Sequence, residues 1–199
     1  MTASAITARS AHREELDSVT ELCLTAFADE AVTAWIFPDP LERRHYMRQM
    51  FSTSLEAAIS AEAVILALDV DGEPMGVSIW LPHTTTAEEQ ETLPSVDEND
   101  LLARRMATAE AAASARRPTV AHLKLASMAA LPEHRGKGAG STMLCAGLER
   151  ARTLGLPVYL EASTSDNRRL YARSGFRDLG ETIDLPEGGP SLQPMWLDA

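Results

Sequence analysis

The sequence is poor in cysteine, in positive charge, in aromatic residues and in long apolar runs. Two cysteines in 199 residues exclude a fold stapled by disulfides. Cys23 and Cys145 both lie in apolar-patterned segments that predict helices, so both are expected as buried, reduced thiols. Lys and Arg number 18 against 29 Asp and Glu, a net charge of −11. That balance opposes a nucleic-acid partner, whose binding draws on phosphate neutralisation by basic side chains. The acidity reads either as a solvated surface or as an attraction for a cationic substrate. The longest apolar stretches, such as residues 63–68, are far too short to cross a bilayer. No long apolar run stands behind a basic segment in residues 1–11, so a cytoplasmic protein without membrane attachment is expected. The five histidines are scattered and the two cysteines lie far apart, so no metal is expected.

What is present is an ordinary globular balance, 45% apolar and 24% charged, over the length of one domain, taken as residues 1–199. Residues 5–9 predict a strand, and Ser10 or Ala11 opens a helix in which Leu16, Val19, Leu22, Cys23 and Phe27 recur at helical spacing. Pro38 and Pro40 break the chain before a second helix over 41–60. Residues 63–70, the turn 71–74 and residues 75–81 form a hairpin signature. A polar loop over 82–96 leads to an alanine-rich helix over 97–117. A buried strand over 122–131, a helix over 138–155, a strand over 157–163, a short helix over 166–173 and closing strands over 176–185 and 192–197 complete an α/β order.

Between the strand ending near Leu131 and the helix opening near Gly138 lies Glu133-His134-Arg135-Gly136-Lys137-Gly138-Ala139-Gly140-Ser141. The first N–H groups of a helix have no internal acceptor, and glycines let the backbone approach a phosphate and adopt positive φ. The helix dipole, Arg135 and Lys137 add positive potential, so the turn suits a pyrophosphate. A P-loop would need glycine where Leu131 stands and Ser or Thr where Gly138 stands. A dinucleotide fingerprint would need Gly or Ala at Ser141. Arg135-x-x-Gly138-x-Gly140 instead resembles the acyl-CoA signature of the GNAT superfamily of N-acetyltransferases.

That resemblance extends on both sides. Leu125-Ala126-Ser127-Met128-Ala129-Ala130-Leu131-Pro132-Glu133-His134-Arg135 is similar to the family's fourth strand running into its turn, Leu160-Glu161-Ala162-Ser163 to its fifth strand, and Asn167 to Phe176 to its next motif. Within the superfamily, Ala26-Phe27-Ala28-Asp29 and Leu185-Pro186-Glu187-Gly188 add a likeness to puromycin N-acetyltransferase-like proteins. The resemblance implies an α/β GNAT fold, a mixed, mostly antiparallel sheet with splayed fourth and fifth strands flanked by helices. It implies acetyl-CoA as co-substrate and a small-molecule primary amine as acceptor, and it is compatible with a homodimer. A protein or peptide amine, or acyl-CoA binding without turnover, stays open.

By the same resemblance, Arg135, Gly136, Lys137, Gly138, Ala139, Gly140 and Ser141 hold the pyrophosphate, while Met128, Ala129, Ala130 and Asn167 hold the pantetheine arm. Tyr171 protonates the departing thiolate, since a phenol of ordinary pKa near 10 is protonated at neutral pH. For the base, Glu161 comes first, with Asp29, Glu30 and His122 open, because Lys124 and Ser127 stand where many relatives carry a glutamate. Asp29, Trp35 and Phe37 are candidates for the acceptor pocket, with Phe27, Tyr46 and Trp80 as further aromatic walls.

Overall fold

The computed structural model describes residues 6–84 and 101–199. Its eight strands are β1 (Thr7–Ser10), β2 (Val64–Leu68), β3 (Pro74–His83), β4 (His122–Ala130), β5 (Val158–Ala162), β6 (Arg177–Asp178), β7 (Ile183–Asp184) and β8 (Ser191–Leu197). They run in the order β1-β2-β3-β4-β5-β8-β6, with β7 also on β8. Every pairing is antiparallel except that of β4 with β5. The β2–β3 hairpin forms where the sequence predicts it. The Asp69 carboxylate accepts the N–H groups of Asp71 and Glu73, each at 2.9 Å, and Gly72 takes a φ of +85° that other residues rarely adopt.

The β3–β4 ladder contains one irregularity that matters for the site. Ile79 faces Ser127 and Trp80 faces Leu125, so Ala126 is the extra residue of a bulge. Since side chains alternate along a strand, one added residue exchanges the two faces. Before the bulge, Leu123 and Leu125 pack with Leu144 and Leu148. After it, Met128 and Ala130 pack with Ala139 and Met143, while Ala129 and Leu131 join the core on the opposite face.

That opposite face is covered by α1 (Leu16–Ala26) and α3 (Pro40–Ser60), whose Leu22, Cys23, Met47, Phe51 and Leu55 are buried with Val64, Leu66, Val77 and Ile79. Helix α5 (Ala139–Leu154) covers the first face. It sits so close that a Cβ on Gly147 would lie 1.9 Å from the ring of Trp80. Two further helices, α2 (Ala31–Ile36) and α4 (Leu101–Ser114), close over β7 and β8 through Trp35, Ile183, Leu185, Leu192, Ala109 and Ala112. Helix α6 (Ser165–Arg173) follows β5.

Several expectations are corrected. Ser10 ends β1, and a 3-10 turn, Arg13–Glu15, precedes α1. The predicted strand over 176–185 is two short pieces, separated where Gly180 takes φ +72°. Cys23 is fully buried but Cys145 is exposed, because the buried positions of α5 (Met143, Leu144, Gly147 and Leu148 among them) leave residue 145 on its outer side. Trp80 is a core residue bonded through Nε1 to Ser78 Oγ at 2.9 Å, and lines no acceptor pocket. Pro82 and His83 continue β3, whereas residues 85–96 of the predicted loop, and residues 97–100 of the predicted helix, lie outside the described residues. Among the described residues no helix is long and apolar enough to cross a membrane.

Candidate active site

Strands β4 and β5 pair only at Leu123↔Val158 and Lys124↔Tyr159. Beyond Lys124 they part, while β4 stays on β3 and β5 on β8. Leu131 donates its N–H to Met75 O at 2.9 Å, and Ala129 O lies toward Gly76, so alternate residues of β4 bond to β3. The N–H and C=O groups of Met128 and Ala130 therefore face the gap. Ala129, grouped with them in the sequence reading, turns its polar backbone groups to β3.

At the end of β4 the chain passes through a 3-10 turn, Pro132–His134, into the glycine turn. Gly136 and Gly138 take φ of +75° and +103°, left-handed values that direct the turn into α5. Arg135, Gly136, Lys137, Gly138 and Ser141 are exposed, and Gly140 is half-buried. Ala139 is buried and anchors the helix start against Ile6, Ala67 and Met75. The first intrahelical bond is Thr142 N–H to Gly138 O at 3.0 Å; the Lys137 N–H donates to His134 O at 3.3 Å, while the amides of Gly136 and of residues 138–141 are left available to an anion. The Arg135 guanidinium is bonded to Asp29 by two hydrogen bonds of 2.8 and 2.9 Å, which hold the Asp29 carboxyl below the usual carboxylate range. Two residues that the sequence assigns to different substrates are thus joined.

Tyr171 is 5% exposed on α6, with the Phe176 ring 5.9 Å away. Burial pushes its phenol up to about 12. Its hydroxyl has no hydrogen-bond partner among the described residues, and the raised pKa favours the protonated form. Thr164 caps α6, accepting the Asn167 N–H at 3.1 Å, so the Asn167 side chain is not used in capping.

On the α1/α3 face of the β4–β5 junction stands a polar group only partly visible in the sequence. Lys124 Nζ lies 3.1 Å from Glu161 Oε2, both largely buried, and 5.9 Å from the centre of the Tyr159 ring. The Tyr159 hydroxyl is fully buried without a hydrogen-bonded partner, and its pKa is raised strongly by burial and secondarily by Glu161. His122 is fully buried with its ring 5.5 Å from that of Tyr159 and 4.7 Å from that of His83. Its Nδ1 is 2.7 Å from Val120 O, an acceptor only, so Nδ1 carries the hydrogen and Nε2 holds an unpartnered lone pair. Burial lowers the pKa of this ring, which favours the neutral form. Tyr159 escaped the sequence reading. Its signal is its place two residues before Glu161 on one strand, which puts both on one face.

The other acceptor candidates lie to one side. Trp35 packs in the α2–α4–β8 cluster, with the Arg105 guanidinium 5.1 Å above its ring and Arg105 bonded to its carbonyl at 2.6 Å. Its indole N–H is buried and unpartnered. Phe37 is buried and stacks on Tyr46 at 4.2 Å. Glu30, an open candidate for the base, caps α2 by accepting the Thr33 N–H at 2.8 Å.

The model of the acetyltransferase (GNAT) family matches residues 24–176. Similar solved structures include the histone acetyltransferase HPA2 and related acetyltransferase of Corynebacterium glutamicum, at 24% identity and TM-score 0.71 over 98% of this chain and 96% of that one. The polyamine N-acetyltransferase of Drosophila melanogaster, described as forming N-acetylagmatine, aligns at 18% identity and TM-score 0.67 over 98% of this chain and all of that one. The PaiA N-acetyltransferase of Thermoplasma acidophilum, solved with coenzyme A, aligns at 14% and 0.63 over 98% and 99%. At these identities the structures show the fold, whereas the family match spans most of the sequence: the chain belongs to the GNAT acetyltransferases, acyltransferases that use acetyl-CoA.

Proposed function

We propose that this chain transfers the acetyl group of acetyl-CoA to the primary amine of a small molecule by direct attack within one ternary complex. The observation that carries the reading is the parting of β4 and β5 beyond Lys124, with the exposed glycine turn directly at the end of β4. Amides of Gly136 and of residues 138–141, beside the charges of Arg135 and Lys137, would hold the pyrophosphate. Met128 and Ala130 would hydrogen-bond the pantetheine arm in the manner of an added strand, with help from Asn167. The structures described as polyamine and agmatine acetyltransferases support a small amine as acceptor.

In the reaction, the neutral amine nitrogen attacks the thioester carbonyl carbon, and the Ala130 N–H faces the developing oxyanion. Collapse of the intermediate breaks the C–S bond, and the Tyr171 hydroxyl gives its proton to the leaving sulfur. The proton lost from the amine goes to Glu161, directly or through water. A second reading, favoured by the unpartnered lone pair on His122 Nε2, places that proton on His122.

The test mixes protein, acetyl-CoA and a panel of amines, arylalkylamines, agmatine, a polyamine, puromycin and a peptide N-terminus, and follows free thiol. Release with small amines supports the reading. Release with the peptide alone redirects it, and tight binding without release points to an acyl-CoA sensor. Puromycin in the panel tests the finer motif likeness. Glu161→Gln and His122→Gln separate the two bases, because only loss of the true base removes the acidic limb of the kcat/KM profile. A cytoplasmic setting and a homodimer complete the proposal.

A further inference from the structure

The glycine turn and the acceptor-side segment meet at one contact, Arg135 with Asp29. Asp29 follows α1 in the connection to α2, and what surrounds it is closely tied. Arg43 on α3 donates to the carbonyls of Ala28, Phe37 and Pro38 at 2.7, 2.9 and 3.1 Å, which closes residues 28–38 into one stapled loop. Glu30 caps α2, and α2 carries Trp35 into the cluster under α4. The loop is thus tied at both ends, with the Asp29 carboxylate beside the tie at Ala28, and that carboxylate occupies the cation next to the amides of the turn.

We infer that Asp29 is a built-in competitor of the pyrophosphate: it holds Arg135 in the free protein and gives it up when the cofactor arrives. The inference rests on the reading of the turn as the acyl-CoA site. The chemistry is an exchange of anions on one guanidinium, which offers a two-pronged fork to one planar carboxylate or to phosphate oxygens. The pair is half exposed, 47% on Arg135 and 66% on Asp29, so water can solvate the carboxylate as it leaves and the exchange meets no large barrier of desolvation. Once released, Asp29 is an unpaired carboxylate on the loop that leads to Trp35 and Phe37. It is then free for the cationic form of an incoming amine. Occupancy of the cofactor site would thereby prepare the acceptor side.

The test is calorimetric titration with coenzyme A of the full chain and of Asp29→Asn, Arg135→Gln and the double variant. Asp29→Asn removes the competitor while keeping the shape, and should tighten coenzyme A about two- to fivefold, the range a surface ion pair holds back. In the Arg135→Gln background the same change should leave the affinity unaltered, because no cation remains to compete for. Asp29→Ser repeats the measurement with a different side chain, and matched circular dichroism spectra establish that each variant is folded. Affinity unchanged or weakened in both Asp29 variants overturns the exchange and leaves the cofactor site standing. No coenzyme A binding by the wild type overturns the cofactor site and the exchange together.

Discussion

At the scale of single residues, the proposed chemistry is most exposed to test at Tyr171, whose buried phenol is pushed up to about 12. Tyr171→Phe keeps the ring against Phe176 and removes only the hydroxyl. We expect kcat to fall about 10²–10⁴-fold with coenzyme A affinity unchanged, the loss typical of a positioned general acid. If the hydroxyl acts only in the transition state, kcat and kcat/KM fall together. Wild-type kcat, with chemistry shown to limit the rate, would make Tyr171 a packing residue. The turn from Arg135 to Ser141 was legible as a strand-to-helix connection because its glycines lie in one short stretch, whereas the roles proposed for Tyr171 and Asn167 rest on the family resemblance. The pairing of Lys124 with Glu161, the orphaned hydroxyl of Tyr159 and the contact of Arg135 with Asp29 were not legible, because each depends on register between segments far apart in sequence. The acceptor candidates show the same limit. Trp35 and Phe37 were singled out by their prolines and acidic neighbours, yet only packing shows that one lies under Arg105 and the other on Tyr46.

At the scale of elements, periodicity and caps located most of the helices and strands, but the bulge at Ala126 left no mark in the sequence. An apolar strand with small residues, such as 125–130, reads alike on either register, and only pairing with β3 reveals the change of face. Gly147 is likewise unremarkable in sequence and critical in packing. Gly147→Ala should lower stability by about 1–3 kcal/mol, since overpacking against the Trp80 ring outweighs the helix preference of alanine. Cys145→Ala, on the exposed side of the same helix, should stay within about 0.5 kcal/mol. Equal urea midpoints for the two variants would show that α5 can move off the sheet without loss. The joint between β1 and α1 carries a pH dependence. The Arg9 guanidinium, with the His12 N–H, holds the Glu15 carboxyl at about 2, below its unfolded value near 4.3. A depressed carboxylate contributes stability above the unfolded pKa and loses it as pH falls toward the folded one. Glu15→Gln should therefore cost about 1 kcal/mol or less at pH 7, and the gap should close between pH 4 and 2. A gap in urea unfolding that widens on acidification would contradict the assignment.

At the scale of the whole molecule, a chain of net charge −11 is proposed to bind a polyanion, and the resolution lies in distance. At physiological salt the field of remote carboxylates is screened within about 8 Å, so the amides of the turn, Arg135 and Lys137 decide the local potential. Binding to the native state alone raises its stability by mass action, about 2.7 kcal/mol at a hundredfold excess over Kd. For a chain of this length each kcal/mol moves Tm by about 2–4 °C, so saturating acetyl-CoA should raise the midpoint by about 5–10 °C. Arg135→Ala with Gly138→Asp removes the guanidinium, strains a residue at φ +103° and sets a carboxylate where phosphate would lie. Because the substitutions alter the ligand-free stability as well, the quantity compared is the shift at one subsaturating acetyl-CoA concentration, not the midpoint itself. The double variant should lose most of that shift while still unfolding cooperatively. A shift as large as that of the wild type would mean that the cofactor binds without the turn, and that the left-handed glycines at 136 and 138 serve only to start α5.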